Sequence, residues 1–309
     1  MKCLDNKVFN LLRLFSLYYG GLTVSLEMVF WAVQHGSATY LKTPNGAHIV
    51  QDLGIGSLGS GDAYFSPLLH LKYNYDVKQL DYVIITHPHK DHIDDIMNFD
   101  ELSPRVLGRP KHLSREDIMS NVREEDEELF EKYFEIDERY TTPITVEEDP
   151  ELPRNNGGVE FKRFHPRSCS TSNLNNHSIV NIVSYAGSKI VLPGDNEPPS
   201  WDELMDMDGF IKSVENSDIL LAPHHGRESG FDSDVMSIIN PRLTVVSDGP
   251  YVDTSATALY SQTCRGWTVH KRSGGDETRY CVTTRSDGVI VVQFGFNEGE
   301  RPYIDVRID

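Results

Sequence analysis

Cysteine is scarce in this chain. Four occur in 309 residues, at Cys3, Cys169, Cys264 and Cys281, and none forms a C-x-x-C pair. That excludes a zinc knuckle or a vicinal redox pair and fits reduced thiols in a cytoplasmic protein. No run of about 18 uncharged apolar residues exists, so no membrane-spanning helix and no membrane partner is expected. Residues 8–19 are apolar but interrupted by Asn10, Arg13 and Ser16. The stretch 5–19 therefore reads as an amphipathic N-terminal helix rather than a signal peptide, which needs a small-residue cleavage site. Basic residues are few as well: 29 Lys and Arg face 47 Asp and Glu, a net charge of −18. So acidic a chain is poorly suited to broad non-specific nucleic-acid binding, although metals and local cations can still hold phosphates. There is no internal repeat. The length suits one large domain over residues 1–309, and strands alternating with short helical segments favour an α/β class.

Against these absences stands a dense group of metal-ligand residues. Residues 86–92 read Thr-His-Pro-His-Lys-Asp-His, so His87, His89, Asp91 and His92 form H-x-H-x-D-H. The cluster follows Tyr82-Val83-Ile84-Ile85, an apolar run that predicts a buried strand. Three imidazoles and a carboxylate this close would be costly to bury without a partner, and a divalent cation is the natural one. His87 and His89 point the same way in extended backbone, which Pro88 favours at His87.

Two further predicted strands end in ligand-type residues. Ser188-Lys189-Ile190-Val191-Leu192 runs into Pro193-Gly194-Asp195, whose carboxylate has two oxygens to share between cations. Asp218-Ile219-Leu220-Leu221-Ala222 runs into Pro223-His224-His225-Gly226. Adjacent histidines point to opposite sides of extended backbone. One of His224 and His225 would then ligate while the other touches substrate or donates a proton. His177, just before the strand 179–183, and His165, at the end of another strand-like stretch, are alternatives for completing the first metal's shell. His35, His48, His70, His112 and His270 read as ordinary structural or surface residues.

The charge is uneven. Residues 115–151 hold fifteen Asp or Glu against four Lys or Arg. Residues 116–140 predict a helix, with Ile118, Val122, Leu129, Tyr133 and Ile136 as apolar contacts. The acidic stretch, at about 112–151, reads as an insertion that could act as a lid, a docking surface for a protein partner, or a guard against polyanions. Lys271, Arg272, Arg279 and Arg285 are candidate phosphate contacts. Cys169, near His165, is a weak candidate nucleophile.

Together these residues resemble the metallo-β-lactamase-fold hydrolases, most closely the hydrolase domain of the ComEC DNA-uptake family. The resemblance runs through Val33-Gln34-His35-Gly36-Ser37-Ala38, Thr43-Pro44-Asn45-Gly46 and Asp52-Leu53-Gly54, which look like that family's opening hairpin. It continues through residues 80–92, 175–180, 192–195 and 221–226, and then 240–247. Two positions depart from it. Ser37 stands where the family often has Asp. After Ser247 the family's His is absent, so only Tyr251 or Asp253 could substitute for it. The resemblance implies an αββα four-layer sandwich and two divalent ions, Zn²⁺ or Mn²⁺. His87, His89 and His177 would hold one ion. Asp91, His92 and His224 or His225 would hold the other, with Asp195 bridging. The ions would lower the pKa of a shared water towards about 7, giving a metal-bridging hydroxide. Asp91 or the non-ligating histidine of the 224–225 pair would protonate the leaving group. The implied activity is a phosphodiesterase, first of all a DNA nuclease in DNA processing or bacterial defence. A small-molecule hydrolase (of a cyclic nucleotide, a phosphocholine ester or a lactone) and an effector subunit activated by a partner are the alternatives.

Overall fold

The computed structural model describes residues 25–57, 64–249 and 255–309. The expected helix at 5–19, Tyr251 and Asp253 lie outside the described residues. Two large sheets organise the chain. The nine-stranded sheet runs in the order β14-β13-β17-β16-β1-β2-β3-β6-β7. Its strands are β1 (Ser25–Phe30), β2 (Thr39–Lys42), β3 (His48–Gln51), β6 (Tyr82–Ile84), β7 (Val106–Gly108), β13 (Trp267–Lys271), β14 (Asp276–Arg279), β16 (Ile290–Phe296) and β17 (Pro302–Ile308). The six-stranded sheet runs β15-β12-β11-β10-β9-β8. Its strands are β8 (Glu160–Phe164), β9 (Val180–Tyr185), β10 (Ser188–Leu192), β11 (Ile219–Leu221), β12 (Leu243–Val246) and β15 (Cys281–Thr283). A small ribbon pairs β4 (Gly56–Ser57) with β5 (Tyr64–Phe65).

Side-chain alternation sorts the core into three layers. On β1, Leu26, Met28 and Phe30 face the second sheet, where they meet Val183, Ile190, Leu192 and Leu221. Val29 and Trp31 face the other way, with Leu68, Leu71, Phe99 and Phe130. On β10, Val191 turns outward onto Trp201, Leu204, Phe210 and Met236. Helices therefore cover both outer faces: Pro67–Asn74 and Glu127–Arg139 on one side, Pro198–Met205, Phe210–Val214 and Ser233–Ile239 on the other. This is the αββα sandwich. The strands feeding the ligand residues, β6, β10 and β11, are buried on both faces and read as continuous apolar runs. The β2–β3 hairpin closes on Thr43-Pro44-Asn45-Gly46, where Gly46 takes φ +86° and donates its N–H to the Thr43 carbonyl at 2.9 Å.

The acidic stretch differs from the single helix predicted over 116–140. It forms a short helix, Arg115–Met119, then a 3₁₀ turn at Glu124–Asp126 and the helix Glu127–Arg139. The first helix opens on a capping box between Ser114 and Asp117. Its end is closed by the Ser120 hydroxyl bonding back to the Asp117 carbonyl, and the chain turns there. Phe130 and Phe134, absent from the predicted contact set, are buried together with Ile118, Tyr133 and Ile136. The second helix is thus part of the outer layer, with its glutamates exposed and Asp137 turned onto the buried Arg109. Among the described residues no helix is long and apolar enough to cross a membrane.

Candidate metal centre

The ligand residues converge where the ends of β6, β10 and β11 meet. Parallel pairing of β3 with β6 sets Gln51 opposite Ile84. Asp52, one residue later, donates its N–H to the Ile84 carbonyl at 2.8 Å, and its carboxylate accepts from the Thr86 N–H at 2.7 Å. The chain then passes His87 and His89 into the helical turn Lys90–Ile93, which carries Asp91 and His92. From the second sheet, β10 delivers Asp195 and β11 delivers His225. Thr86 joins the sheets, because its carbonyl accepts the Ile179 N–H at 3.0 Å.

Donor atoms of Asp91, His92, Asp195 and His225 all lie within 4.8 Å of one another. His92 Nε2 is 3.2 Å from Asp195 Oδ1 and 3.4 Å from His225 Nε2. His225 Nε2 is 3.2 Å from Asp91 Oδ2 and 3.3 Å from Asp195 Oδ2. His87 Nε2 lies 3.9 Å from the same Oδ2 and 3.0 Å from His89 Nδ1. Asp195 thus faces three histidines, His92 through Oδ1 and His225 and His87 through Oδ2.

The outer ring nitrogens are already engaged. His92 Nδ1 is 3.0 Å from Asp52 Oδ2, His225 Nδ1 is 3.2 Å from the Ser247 carbonyl, and His87 Nδ1 is 3.1 Å from Ser178 Oγ. Each Nε2 is thereby left pointing inward. Outer partners of this kind fix the tautomer and orientation of metal-binding imidazoles. The residues present therefore fit divalent cations: convergent nitrogen and oxygen donors, with His87, His92, Asp195 and His225 buried and the imidazoles of His87, His92 and His225 held from behind.

The charges agree with that fit. Burial alone would pull His92 down, but the Asp195 and Asp52 carboxylates hold it well above the usual histidine range. Burial likewise opposes the charge on His225, yet Asp195 and Asp91 raise it to about 9. Burial would raise Asp195, and the neighbouring His92 and His225 hold it well below the usual carboxylate range. A cation entering here replaces protons on His92 and His225, so its affinity rises with pH.

Two backbone features aim these side chains. His224 and His225 both take left-handed conformations, at φ 48° and φ 54°. Consecutive non-glycine residues in that region are strained and persist where the surroundings over-determine them. They also divide the pair. His225 joins Asp195 and Asp91, whereas His224 Nδ1 sits 2.8 Å from Glu197 Oε1 and 2.8 Å from Ser229 Oγ. Gly194 takes φ +62°, and a Cβ there would fall 2.8 Å from Ser178 Cβ and 3.0 Å from Thr86 Cβ. Gly194→Ala is therefore expected to cost about 1–3 kcal/mol through the forced conformation alone. It should also displace Asp195 and weaken metal uptake, which a denaturant titration and a metal titration of the same variant would check.

Other predicted residues lie elsewhere. His177 is buried, with Nδ1 2.9 Å from His112 Nε2, and its Nε2 has no hydrogen-bond partner. Its bonds and ring contacts are with His112 rather than with His87 or His89. His165 is half-buried outside the cluster, and burial with the nearby Arg163 and Arg167 pulls it to about 4. Lys271, Arg272, Arg279 and Arg285 are each matched with a carboxylate: Glu277, Asp309, Asp287 and Asp248. Cys169 Sγ lies 3.6 Å from Glu203, and burial and that carboxylate push the thiol up to about 11, the wrong direction for a nucleophile. Asp52 and Glu197, which hold His92 and His224, carry no metal-ligand signature of their own in the sequence. Asp52 is marked only by its place after a predicted hairpin, and Glu197 only by standing two residues past Asp195.

The family model of the metallo-beta-lactamase superfamily matches residues 34–226, the span from the loop before β2 through the His224–His225 turn. The chain belongs to the metallo-beta-lactamase superfamily. ComE operon protein 3 of Bacillus subtilis (strain 168) is 24% identical over 194 residues, which cover 61% of this chain and 22% of that protein. The chain thus spans under a quarter of the length of that curated relative. Among solved structures, a long-form RNase Z from yeast aligns at 13% identity and a TM-score of 0.41, over 76% of this chain and 39% of that one. A human short-form tRNase Z aligns at 16% and 0.31, over 78% and 89%. A metallo-beta-lactamase fold with this donor set supports a metal-dependent hydrolase.

Proposed function

We propose that the chain is a dinuclear metal-dependent phosphodiesterase and that its substrate is DNA. The observation that supports this most directly is the sharing of Asp195. Its Oδ1 faces His92 and its Oδ2 faces both His225 and His87, with His89 beside His87 and Asp91 beside His225. His87, His89 and Asp195 would hold one ion. Asp91, His92, His225 and Asp195 would hold the other. Zinc or manganese suits imidazole and carboxylate donors without thiolate. When bound, two such ions would activate water near neutral pH and offset charge on the attacking and leaving oxygens of a phosphodiester.

The chain's own residues supply the rest. Burial of His87, His92 and Asp195 excludes bulk water from the ligand side. Asp52, Ser178 and the Ser247 carbonyl keep the Nε2 atoms inward. His224, held through Nδ1 by Glu197, is the imidazole beside the cluster that is free of the ligand set, and its Nε2 would take up the proton shed by the attacking water and pass it to the leaving oxygen. DNA is the preferred phosphodiester because of the likeness to the DNA-uptake family, and DNA processing or defence in the cytoplasm would be the setting.

The test is cleavage of linear, circular and single-stranded DNA with Mn²⁺ or Zn²⁺, beside the Asp91→Ala, His92→Ala double variant. Cleavage by the wild type, reduced on the order of 10³-fold or more in the variant, is expected from losing one ion's charge stabilisation. A wild type that binds two ions per chain and cleaves none of these substrates would overturn the stand-alone nuclease. It would leave a small-molecule substrate or activation by a partner docked on the acidic helix.

A further inference from the structure

Arg227 stands directly after the turn that carries His225. Its backbone is fixed on several sides: its N–H donates to the His224 carbonyl at 3.0 Å, and its carbonyl accepts from the Tyr260 hydroxyl at 3.1 Å and the Gly230 N–H at 3.2 Å. It also forms an isolated β-bridge with Ser255. The side chain is half-buried, and Nη1 approaches His224 Nε2 at 3.4 Å, a long contact. Its Nε is buried with no hydrogen-bond partner.

The contrast with the chain's other sheltered arginines is what gives this weight. Arg109 meets Asp137, Arg163 meets Glu151, Arg242 meets Asp218 and Arg279 meets Asp287. Arg227 has no carboxylate partner among the described residues, in a chain with 47 Asp and Glu against 29 Lys and Arg. A guanidinium presents five N–H donors in a rigid fork that matches two oxygens of a carboxylate or phosphate. Here a fork with an unsatisfied, dehydrated Nε is held two residues from His225 by a pinned backbone. Its one side-chain polar contact among the described residues, His224, is in turn tied to Glu197.

We propose that Arg227 is the anion-binding arm of the metal centre, taking the non-bridging oxygens of a phosphate group whose phosphorus faces the His225–Asp195 side. This deepens the phosphodiesterase reading for its substrate, and it rests on that reading for turnover but not for phosphate binding. Arg227, His224 and Glu197 then form one chain of donors and acceptors. Arg227 donates to His224 Nε2 when the site is empty, and to phosphate oxygen when it is filled, which releases His224 Nε2 to face the leaving group.

The experiment titrates inorganic phosphate calorimetrically into the full, metal-loaded chain as wild type, Arg227→Met and Arg227→Lys. Hydrolysis of bis(p-nitrophenyl) phosphate is followed in parallel, and metal content is measured for each protein. Arg227→Met should weaken phosphate binding and raise KM for the diester by about 10–100-fold, with two ions per chain retained, as expected for losing a charge-assisted bidentate contact. Arg227→Lys should fall between, because an ammonium keeps the charge and loses the fork. Phosphate affinity within twofold of wild type in both variants, or no phosphate binding by the wild type, overturns the proposal. If Arg227→Met fails to fold, Arg227→Lys decides alone: several-fold weaker phosphate binding supports the arm and an unchanged affinity removes it. Phosphate binding that depends on Arg227 in a protein that cleaves no diester would leave the arm standing and the phosphodiesterase reading overturned. Diester cleavage with unchanged KM in both variants would do the reverse.

Discussion

Asp195→Asn is expected to lower hydrolysis on the order of 10³-fold, the rate equivalent of the several kcal/mol that metal-supplied charge stabilisation contributes. Three buried imidazoles face this carboxylate: His92 at 3.2 Å, His225 at 3.3 Å and His87 at 3.9 Å. The amide keeps the volume and the bond from the Asp195 N–H to Ser178 Oγ at 3.0 Å. What it removes is the negative charge shared between the two donor groups. Metal content should fall below two ions per chain, and KM should change less than kcat. A variant with full metal content and near wild-type kcat would show that Asp195 does not bridge.

The second large effect is at Asp52, which never touches the cluster's interior. Its carboxylate is fully buried, faces His92 Nδ1 at 3.0 Å, and accepts from the Thr86 N–H at 2.7 Å and hydroxyl at 2.9 Å. Asp52→Ala leaves two donors unpaired and a buried imidazole without its orienting partner. The expected stability loss in the metal-free protein is about 3–5 kcal/mol, as for breaking a buried pair. Metal affinity should weaken by about 10–100-fold, as for removing an outer-sphere carboxylate. The pH dependence has a definite sign. His92 is raised in the folded protein, so its pairing contributes stability that is fully present below the unfolded value of about 6.5 and is lost as pH rises through the higher folded value. Asp52→Ala should narrow that window, which urea titrations of metal-free wild type and variant across pH would reveal. Equal stability of the two proteins just below pH 6.5, where His92 is charged and Asp52 ionised, would argue against the pair.

These two residues differ in how readable they are. Asp195 was legible because a double-sided buried strand is an apolar run, and a carboxylate just past its end is conspicuous. The same logic found His87, His89, Asp91 and His92 after β6 and the 224–225 pair after β11. Asp52 stands in the sequence only as part of the opening hairpin that the family resemblance marks, because its role depends on the parallel register that sets Gln51 beside Ile84 across thirty-odd residues of chain. The division of labour between His224 and His225 was equally hidden. Extended alternation predicts opposite faces, but both residues are left-handed, and their directions follow from the turn and from Glu197. His177 illustrates the reverse case. Its position before β9 suggested a ligand, yet its ring meets His112, a partner 65 residues away in sequence that nothing local marks. In the acidic stretch the apolar period was visible, but its phase was read without Phe130 and Phe134. The break after Met119 depended on the Ser120 hydroxyl bonding back to the helix.

The most direct test of a two-ion centre is a metal titration of the apo chain with Zn²⁺ and Mn²⁺, followed calorimetrically and by elemental analysis, with Asp195→Asn alongside. Two ions per wild-type chain, bound with proton release and more tightly at higher pH, are expected, with fewer than two in the variant. Binding of one ion or none, or uptake that Asp195→Asn leaves unchanged, would contradict a dinuclear centre built on Asp195.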